Sequence, residues 1–386
     1  MRVLFVSPNV PWPPDSGGRI RTFELLKALS SECELELWCV EEPRDLDAAQ
    51  AALEKVVPSV RIFPRSEMPW LLRHRRTKPE RWFHSQALTE ALEQRVRLDP
   101  PDVLHADELL LARNLPLSFA EQTVIHHHKL DLELAQRLER DGAASAFLRL
   151  KRQRQTRLTA ELERYAAQRF TRHVVCSPED RALLESRHAN LSIASVPSGF
   201  DAERFVPNPA VERASNELLF LGTLSYEPNL DGLEWFAANV WDDLRERRPE
   251  LVLRIVGRDP GRRAHALLRP GMQLIGPVED PLPDLWRASA LLVPLRIGGG
   301  TRLKITEALG AATPVISTTI GAEGLGLKDR QHLLLADDAA GIAAAVESLV
   351  SEPALGVHLA AAGRRHALEH LSWPVLGQRL LQAWTG

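Results

Sequence analysis

A chain of 386 residues exceeds the size at which one hydrophobic core stops growing, so two domains are the expectation. Hydrophobic residues make up 44% and charged residues 26%, with a net charge of −3 and a pI near 6.5. That balance fits a globular enzyme and excludes a dedicated nucleic-acid binder, which carries an excess of lysine and arginine on one face.

The opening "MRVLFVSPNVPWPPDSGG" has one basic residue and a short apolar run before its prolines, too short for the apolar region of a signal peptide. "RVLFVSP" reads as a buried strand, and "GGRIRTFELLKALS" follows with helical spacing through Ile20, Phe23, Leu25, Leu26 and Leu29. "CELELWCV", "VRIFP", "DVLHAD", "TVIHHH" and "HVVCSP" supply further strands, separated by helical patterns such as "LTEALEQRVRL" and "RLTAELERYAAQRF". Alternating β and α predicts a parallel, doubly wound sheet. The proline- and glycine-bearing stretch from Ser195 to Pro209 reads as an interdomain connection. Beyond it "ELLFLGTL", "LVLRIVG", "MQLIG", "ALLVPL" and "TPVIST" are five more buried strands. The expectation is an α/β chain of two Rossmann-like domains, 1–196 and 197–372, with an amphipathic terminal helix (373–386) joining the first. Cys33, Cys39 and Cys176 form no CxxC pair and leave one over, which points to reduced thiols and no structural metal. No stretch of about 18 uncharged apolar residues occurs, so no transmembrane helix is expected and the cytoplasm is the expected location.

The segment "RIGGGTRLKITEALG" carries the chemistry. A strand ends at Leu295, Gly298, Gly299 and Gly300 form a turn, and a helix follows with Thr301 as expected N-cap and Gly310 as terminator. Backbone N–H groups at a helix start attract anions, and glycines let a ligand approach them. Arg302 and Lys304 in the first turn oppose the helix dipole unless an anion intervenes. A phosphate-bearing ligand resolves that conflict; the alternative is a tight turn with two solvated cations. Neither the GxxxxGK[ST] spacing nor GxGxxG occurs, so no P-loop and no dinucleotide cofactor is implied.

With "SPNVPWPPDSGGRIRTFELLKALS", "DVLHAD", "VVCSPEDRALL", "VPSGFDAERF", "LFLGTLSYEPNLDGLEWF", "LRIVGRDP" and "IGPVEDPLPDLWRASALLVPL" in order around that loop, the chain resembles the retaining, nucleotide-sugar-dependent glycosyltransferases of family 4. The resemblance implies a GT-B fold, two Rossmann-like domains facing across a cleft. It implies donor phosphate contacts at Gly17, Gly18, Gly299, Gly300, Thr301, Arg302 and Lys304. Glu307 matches the second glutamate of the family's E-x7-E motif, which holds the ribose hydroxyls, while Gly299 stands where the first glutamate belongs. Gly276, Val278 and Glu279 would edge the nucleobase, and Gly222 and Thr223 the donor cleft. In "VIHHHKLDLE", His128 is the best match to a histidine that touches the donor sugar, with His127 next. A metal cluster of these histidines is disfavoured because neighbours on a strand point to opposite faces. His105 reads as structural, and the triplet from Asp45 to Asp47 as a helix N-cap rather than a divalent-ion site.

The implied activity is retaining sugar transfer from a UDP-, GDP- or TDP-linked donor to a glycan, lipid-linked or small-molecule acceptor, with no metal and no further cofactor. Arg302 and Lys304 would neutralise the leaving diphosphate. A GT-B sugar-nucleotide epimerase and a catalytically silent nucleotide-sugar binder are the alternatives. "MPWLLRHRRTKPERWF" and "RLKRQRQTRL" mix aromatic and basic residues, so they fit either a peripheral contact with an anionic membrane or two solvated helix faces.

Overall fold

The computed structural model describes residues 1–41, 46–116, 122–140, 145–258 and 261–386. Its Cα packing divides the chain into two units, Met1–Pro197 with Trp373–Gly386, and Ser198–Ser372.

In the first unit, the apolar runs form β1 (Arg2–Ser7), β2 (Glu34–Glu41), β3 (Ser59–Pro64), β4 (Val103–Ala106), β5 (Thr123–His127), β6 (Arg172–Val175) and β7 (Ile193–Ser195). Between them lie α1 (Gly17–Leu29), α2 (Leu46–Leu53), α3 (Trp70–Arg73), α4 (Lys78–Trp82), α5 (Gln86–Leu98), α6 (Asp131–Arg140), α7 (Ala146–Arg169) and α8 (Pro178–Arg187). The strands pair in parallel in the order β3-β2-β1-β4-β5-β6-β7. Strands covered on both faces have little reason to alternate, and the burial follows: five of the six residues of β1 and all of β4 and β5 are buried. Leu4, Val6, Trp38, Phe63, Leu104 and Leu162 meet in one core of this unit.

The second unit runs β8 (Glu217–Leu221), α9 (Glu227–Phe236), α10 (Asp242–Arg247), β9 (Val252–Val256), α11 (Gly261–Ala266), β10 (Met272–Gly276), α12 (Leu282–Arg287), β11 (Ala290–Val293), α13 (Leu303–Gly310), β12 (Val315–Ser317), α14 (Thr319–Ala322), β13 (Leu334–Leu335), α15 (Ala339–Ser351) and α16 (Pro353–His370). Its sheet is parallel in the order β10-β9-β8-β11-β12-β13. Successive side chains of β8 serve two cores: Leu218 and Phe220 pack with Trp241 and Ile255, whereas Leu219 and Leu221 pack with Val293 and Ile305. The chain ends in α17 (Trp373–Thr385), which returns to the first unit and packs on α1. Gly377 makes that packing close, because a Cβ there would lie 2.8 Å from the Ala28 Cβ.

Two strands escaped the sequence reading, β7 and β13, of three and two residues, too short to show a period. The stretch read as an interdomain connection is largely built into the second unit: the Phe200 N–H donates to the Leu371 carbonyl at 3.1 Å, and Phe200 and Phe205 are buried in its core. Asp45 lies outside the described residues, while Asp47 sits in the first turn of α2. The three cysteines are free. No single helix among the described residues is long and apolar enough to cross a membrane. The bent pair α15 and α16 is apolar in sum, but Ile342, Val346 and Leu359 are spent in the second unit's core.

Trp241 is fully buried and its indole N–H donates to the Pro270 carbonyl at 3.0 Å. Trp241→Ala should cost about 3–5 kcal/mol, read as a lowered unfolding midpoint of the second unit in calorimetry; an unshifted transition would contradict this packing.

Candidate functional site

In both sheets the strand order reverses at one place, between β1 and β4 and between β8 and β11. Loops leaving the carboxyl ends of strands flanking such a reversal diverge and open a crevice where ligands bind in open α/β sheets. The loops concerned carry Gly17, Gly18 and Asp107 in the first unit, and Gly222, Thr223 and Gly298 to Thr301 in the second.

In the second unit the glycine loop follows β11 and leads into α13, which starts at Leu303 and not at Thr301. The Thr301 hydroxyl is committed elsewhere, accepting the Ser198 N–H at 2.5 Å, so Arg302 stands at the N-cap position without a side-chain cap. Gly310 is the last residue of the helix, and the chain leaves through Ala311 and Ala312, the latter with φ of 56°. Gly298 and Gly300 have φ of 146° and 71°, a region in which a side chain is strained. A Cβ on Gly298 would also meet the Arg302 guanidinium. That guanidinium is folded back on its own loop, donating to the carbonyls of Gly299 at 2.7 Å, of Gly300, and of Ile320 at 3.4 Å. Arg302 therefore shapes the turn, while its charge stays at the loop.

Lys304 is the cation that reaches the loop after β8. Its Nζ donates to Asn229 Oδ1 at 2.9 Å and lies 4.8 Å from the centre of the Phe220 ring. A Cβ on Gly222 would come within 2.8 Å of that Nζ, so only glycine leaves room for it. Asn229 is fixed in turn by donating to the Thr223 carbonyl at 2.9 Å. Burial, then the nearby Arg302 charge, pushes the Lys304 ammonium down to about 7, with Glu307 opposing. Glu307, one turn further along α13, makes no hydrogen bond through its carboxyl among the described residues. Burial pushes it up to about 7 against the pull of Arg204 and Lys304. Arg204 and Asp280 form an ion pair at 3.0 Å, and both act on the Glu307 charge, which places the turn after β10 near that carboxyl. Gly276, Val278 and Glu279 belong to this turn; the Gly276 carbonyl accepts the Gly257 N–H at 2.9 Å, Val278 packs on the core, and Glu279 is exposed.

In the first unit Gly17 and Gly18 are the first two residues of α1, and a Cβ on Gly18 would sit 3.9 Å from His128 Nδ1. His128 Nε2 lies 2.7 Å from Asp107 Oδ1, and the Thr22 hydroxyl donates to Asp107 Oδ2 at 2.5 Å. Burial would raise the Asp107 carboxyl, but His128 and Thr22 together outweigh it and hold the group below its usual range. His128 thus gives its Nε2–H to a carboxylate and turns Nδ1 toward Gly18. His127 points to the opposite face, buried, with Nε2 3.1 Å from His173 Nδ1, and burial pushes it down to about 3. The structure brings His128 and Gly18 together and leaves His127 in the core.

His105, pushed down to about 3 by burial, accepts the Trp384 indole N–H at 3.0 Å and stacks on Phe5. His126 Nε2 accepts from Arg21 Nη2 at 2.8 Å. Ligand atoms of His105, Asp107 and His126 lie within 4.8 Å of one another. The Arg21 guanidinium on His126 already supplies a positive charge there, which opposes a second cation. Asn229, Arg204, Asp280 and Asp107 were not singled out by sequence; nothing in their local spacing marks them, and only the fold brings them to the sites.

Two doubly wound units, each with loops gathered at its strand reversal and one carrying a glycine turn that leads into a lysine-bearing helix, define an α/β protein of the kind that binds ligands at such reversals. Family comparison agrees: residues 16–204 match "Glycosyltransferase Family 4" and residues 215–352 match "Glycosyl transferases group 1". The chain belongs to the family 4, group 1 glycosyltransferases and has the GT-B fold. It is 36% identical over 107 residues to D-inositol 3-phosphate glycosyltransferase of Rhodococcus opacus, covering 27% of this chain and 24% of that one. It is 24% identical over 220 residues to the GDP-mannose-dependent alpha-(1-6)-phosphatidylinositol monomannoside mannosyltransferase of Mycolicibacterium smegmatis, covering 50% and 56%. The chain thus spans little more than half the length of these curated relatives at most. Among solved structures, sucrose-phosphate synthase from Thermosynechococcus elongatus superposes with a TM-score of 0.73 at 18% identity, covering 100% of this chain and 98% of that one. Anabaena HepE in complex with UDP gives 0.69 at 13% identity, with full coverage of both.

A lysine whose pKa is depressed on folding costs stability below its folded value, and the cost fades as pH rises toward the unfolded value. Lys304→Met should therefore raise the unfolding midpoint of the second unit near pH 6, by about 2–4 °C if 1 kcal/mol is released, with a smaller gain near pH 10. A midpoint that falls at both pH values would show that the ammonium is not a stability cost.

Proposed function

We propose that this chain transfers a sugar from a nucleoside-diphosphate sugar to an acceptor hydroxyl, with retention of anomeric configuration and without a metal ion. The observation that carries the reading is the Lys304 ammonium held beside Asn229 and Gly222, on the helix that follows the glycine loop. Cleavage of the anomeric C–O bond builds negative charge on the departing diphosphate. Lys304 and the backbone N–H groups of the Arg302-shaped turn would receive that charge, and one preorganised donor of this kind is worth about 3 kcal/mol. An approaching dianion also reverses the depression of the Lys304 pKa, so binding takes up protons near neutral pH. Glu307, without a hydrogen-bond partner for its carboxyl among the described residues, suits the ribose hydroxyls, and the turn from Gly276 to Glu279 suits the base.

In the first unit, His128 is assigned to a hydroxyl of the donor sugar, oriented by Asp107. No carboxylate nucleophile is needed: in front-face attack the departing phosphate oxygen takes the acceptor's proton. Support for the donor class comes from HepE, solved with UDP-glucose, and from the GDP-mannose-dependent mycobacterial relative. An acceptor in polysaccharide or lipid-linked glycan assembly suits a chain at the inner face of a membrane; the mycobacterial relative is named for a phosphatidylinositol monomannoside.

The test is a thermal-shift panel of UDP, GDP, TDP and their sugars on the wild type and on Lys304→Ala, followed by product analysis with acceptors. Saturation at about 100 times the dissociation constant adds roughly 2.7 kcal/mol. One nucleotide family should stabilise the wild type and not the variant, and the product anomer should keep the donor's configuration by NMR. Stabilisation by no nucleotide, or release of an isomerised nucleotide without acceptor, would sink the proposal.

Glu307→Gln should weaken a nucleoside diphosphate about tenfold, through loss of hydrogen bonds to a charged group, while leaving inorganic pyrophosphate unaffected. Equal weakening of both in calorimetric titration would remove Glu307 from the ribose.

A further inference from the structure

Two sequence segments about 70 residues apart, each mixing aromatic and basic residues, meet on one face of the first unit. α4 is set by a capping box: the Thr77 hydroxyl accepts the Glu80 N–H at 3.3 Å and the Glu80 carboxylate accepts the Thr77 N–H at 2.8 Å. That box fixes where Lys78 and Arg81 leave the helix. Opposite, the amino-terminal half of α7 is exposed, and Arg154 ties it to the other segment by donating to the His74 carbonyl at 3.1 Å. Between them runs a groove of about 640 Å³ to which Arg76, Lys78 and Arg81 contribute from one side and Lys151, Arg152 and Arg154 from the other.

Six cations around one groove repel one another unless counter-charges intervene. Of the acidic groups nearby, Asp131 lines the adjoining pocket with Arg152, and Glu80 is buried and already paired with Arg76 at 3.3 Å and Arg113 at 3.1 Å. Lys78, Arg81 and Lys151 have no ion-pair partner among the described residues. The same two segments expose large apolar side chains: Trp70 and Phe147 are each 77% exposed, and Leu71, Trp82 and Leu150 are largely exposed as well. Exposed apolar groups and cations carried by the same short segments match the layered chemistry of a membrane surface, in which headgroup phosphates lie above acyl chains and aromatic rings settle at the boundary. A free phosphate ligand would use the cations and leave Trp70 and Phe147 without a role.

We propose that the α4–α7 groove docks the protein on an anionic phospholipid bilayer, with the cations on headgroup phosphates and Trp70, Trp82 and Phe147 at the interface. Docking of this kind does not depend on nucleotide binding. The test is co-sedimentation with phosphatidylcholine vesicles, with and without phosphatidylglycerol, over a salt series. The wild type should bind only the anionic vesicles and release them as salt rises. Lys78→Ala, Arg81→Ala and Lys151→Ala should each weaken binding about fivefold, and the triple variant by about two orders of magnitude. The Phe147→Ser, Trp82→Ser pair should also lose affinity. Thermal midpoints of all variants, and any stabilisation by a nucleoside diphosphate, should match the wild type, which separates failure here from failure of the donor site. Equal binding to neutral vesicles, or undiminished binding by the triple variant, would overturn the proposal. So would stabilisation by inorganic pyrophosphate that the triple variant loses, without any vesicle binding.

Discussion

One ammonium group organises the second unit's site. Lys304 Nζ is hemmed by the Asn229 amide, the Phe220 ring and the backbone of Gly222, close enough that its charge is held only against a desolvation cost. Such a group gains little from the folded protein by itself, and an anion beside it would offset that cost. The glycine turn completes the arrangement, because Arg302 satisfies the turn's carbonyls and so fixes the loop that leads into α13. The half-buried Glu307, whose carboxyl has no hydrogen-bond partner among the described residues, repeats the pattern one helical turn away. Both groups are kept in states that cost stability when the site is empty, as expected where function and stability compete.

The first unit solves a different problem, orienting one imidazole. Neutral, buried histidines at 105, 126 and 127 fill the strand ends, each with a defined partner in Trp384, Arg21 and His173. His128 alone of the run reaches beyond them, and Asp107 with Thr22 fixes its ring. Trp384 belongs to the terminal helix, so the chain's last turn braces the strand end that precedes Asp107. The sheet order puts these groups and Gly18 of α1 at the same strand reversal.

Much of the fold was legible because buried parallel strands leave continuous apolar runs, and eleven of them could be read from "RVLFVSP" to "TPVIST". β7 and β13 were not, being too short for any period, and the segment around Phe200 and Phe205 looked like a connection because its prolines and glycines hide two buried rings. At the glycine loop the local rules put the N-cap at Thr301; the structure puts it one residue on, at Arg302, and the Thr301 hydroxyl instead accepts the distant Ser198 N–H.

What the sequence by itself determined is the class: two α/β halves, a glycine turn followed by cations, and a family order of motifs, all of which depend on neighbours along the chain. What only the tertiary structure decided is how the charges are used. Arg302 and Lys304 look equivalent in a string of letters, yet one closes its own loop and the other reaches Asn229, 75 residues away. His127 and His128 differ by one position, and the strand's alternation sends one into the core and the other toward Gly18. Such outcomes depend on which distant groups arrive within about 3 Å, the reach of a hydrogen bond, and no local spacing carries that information.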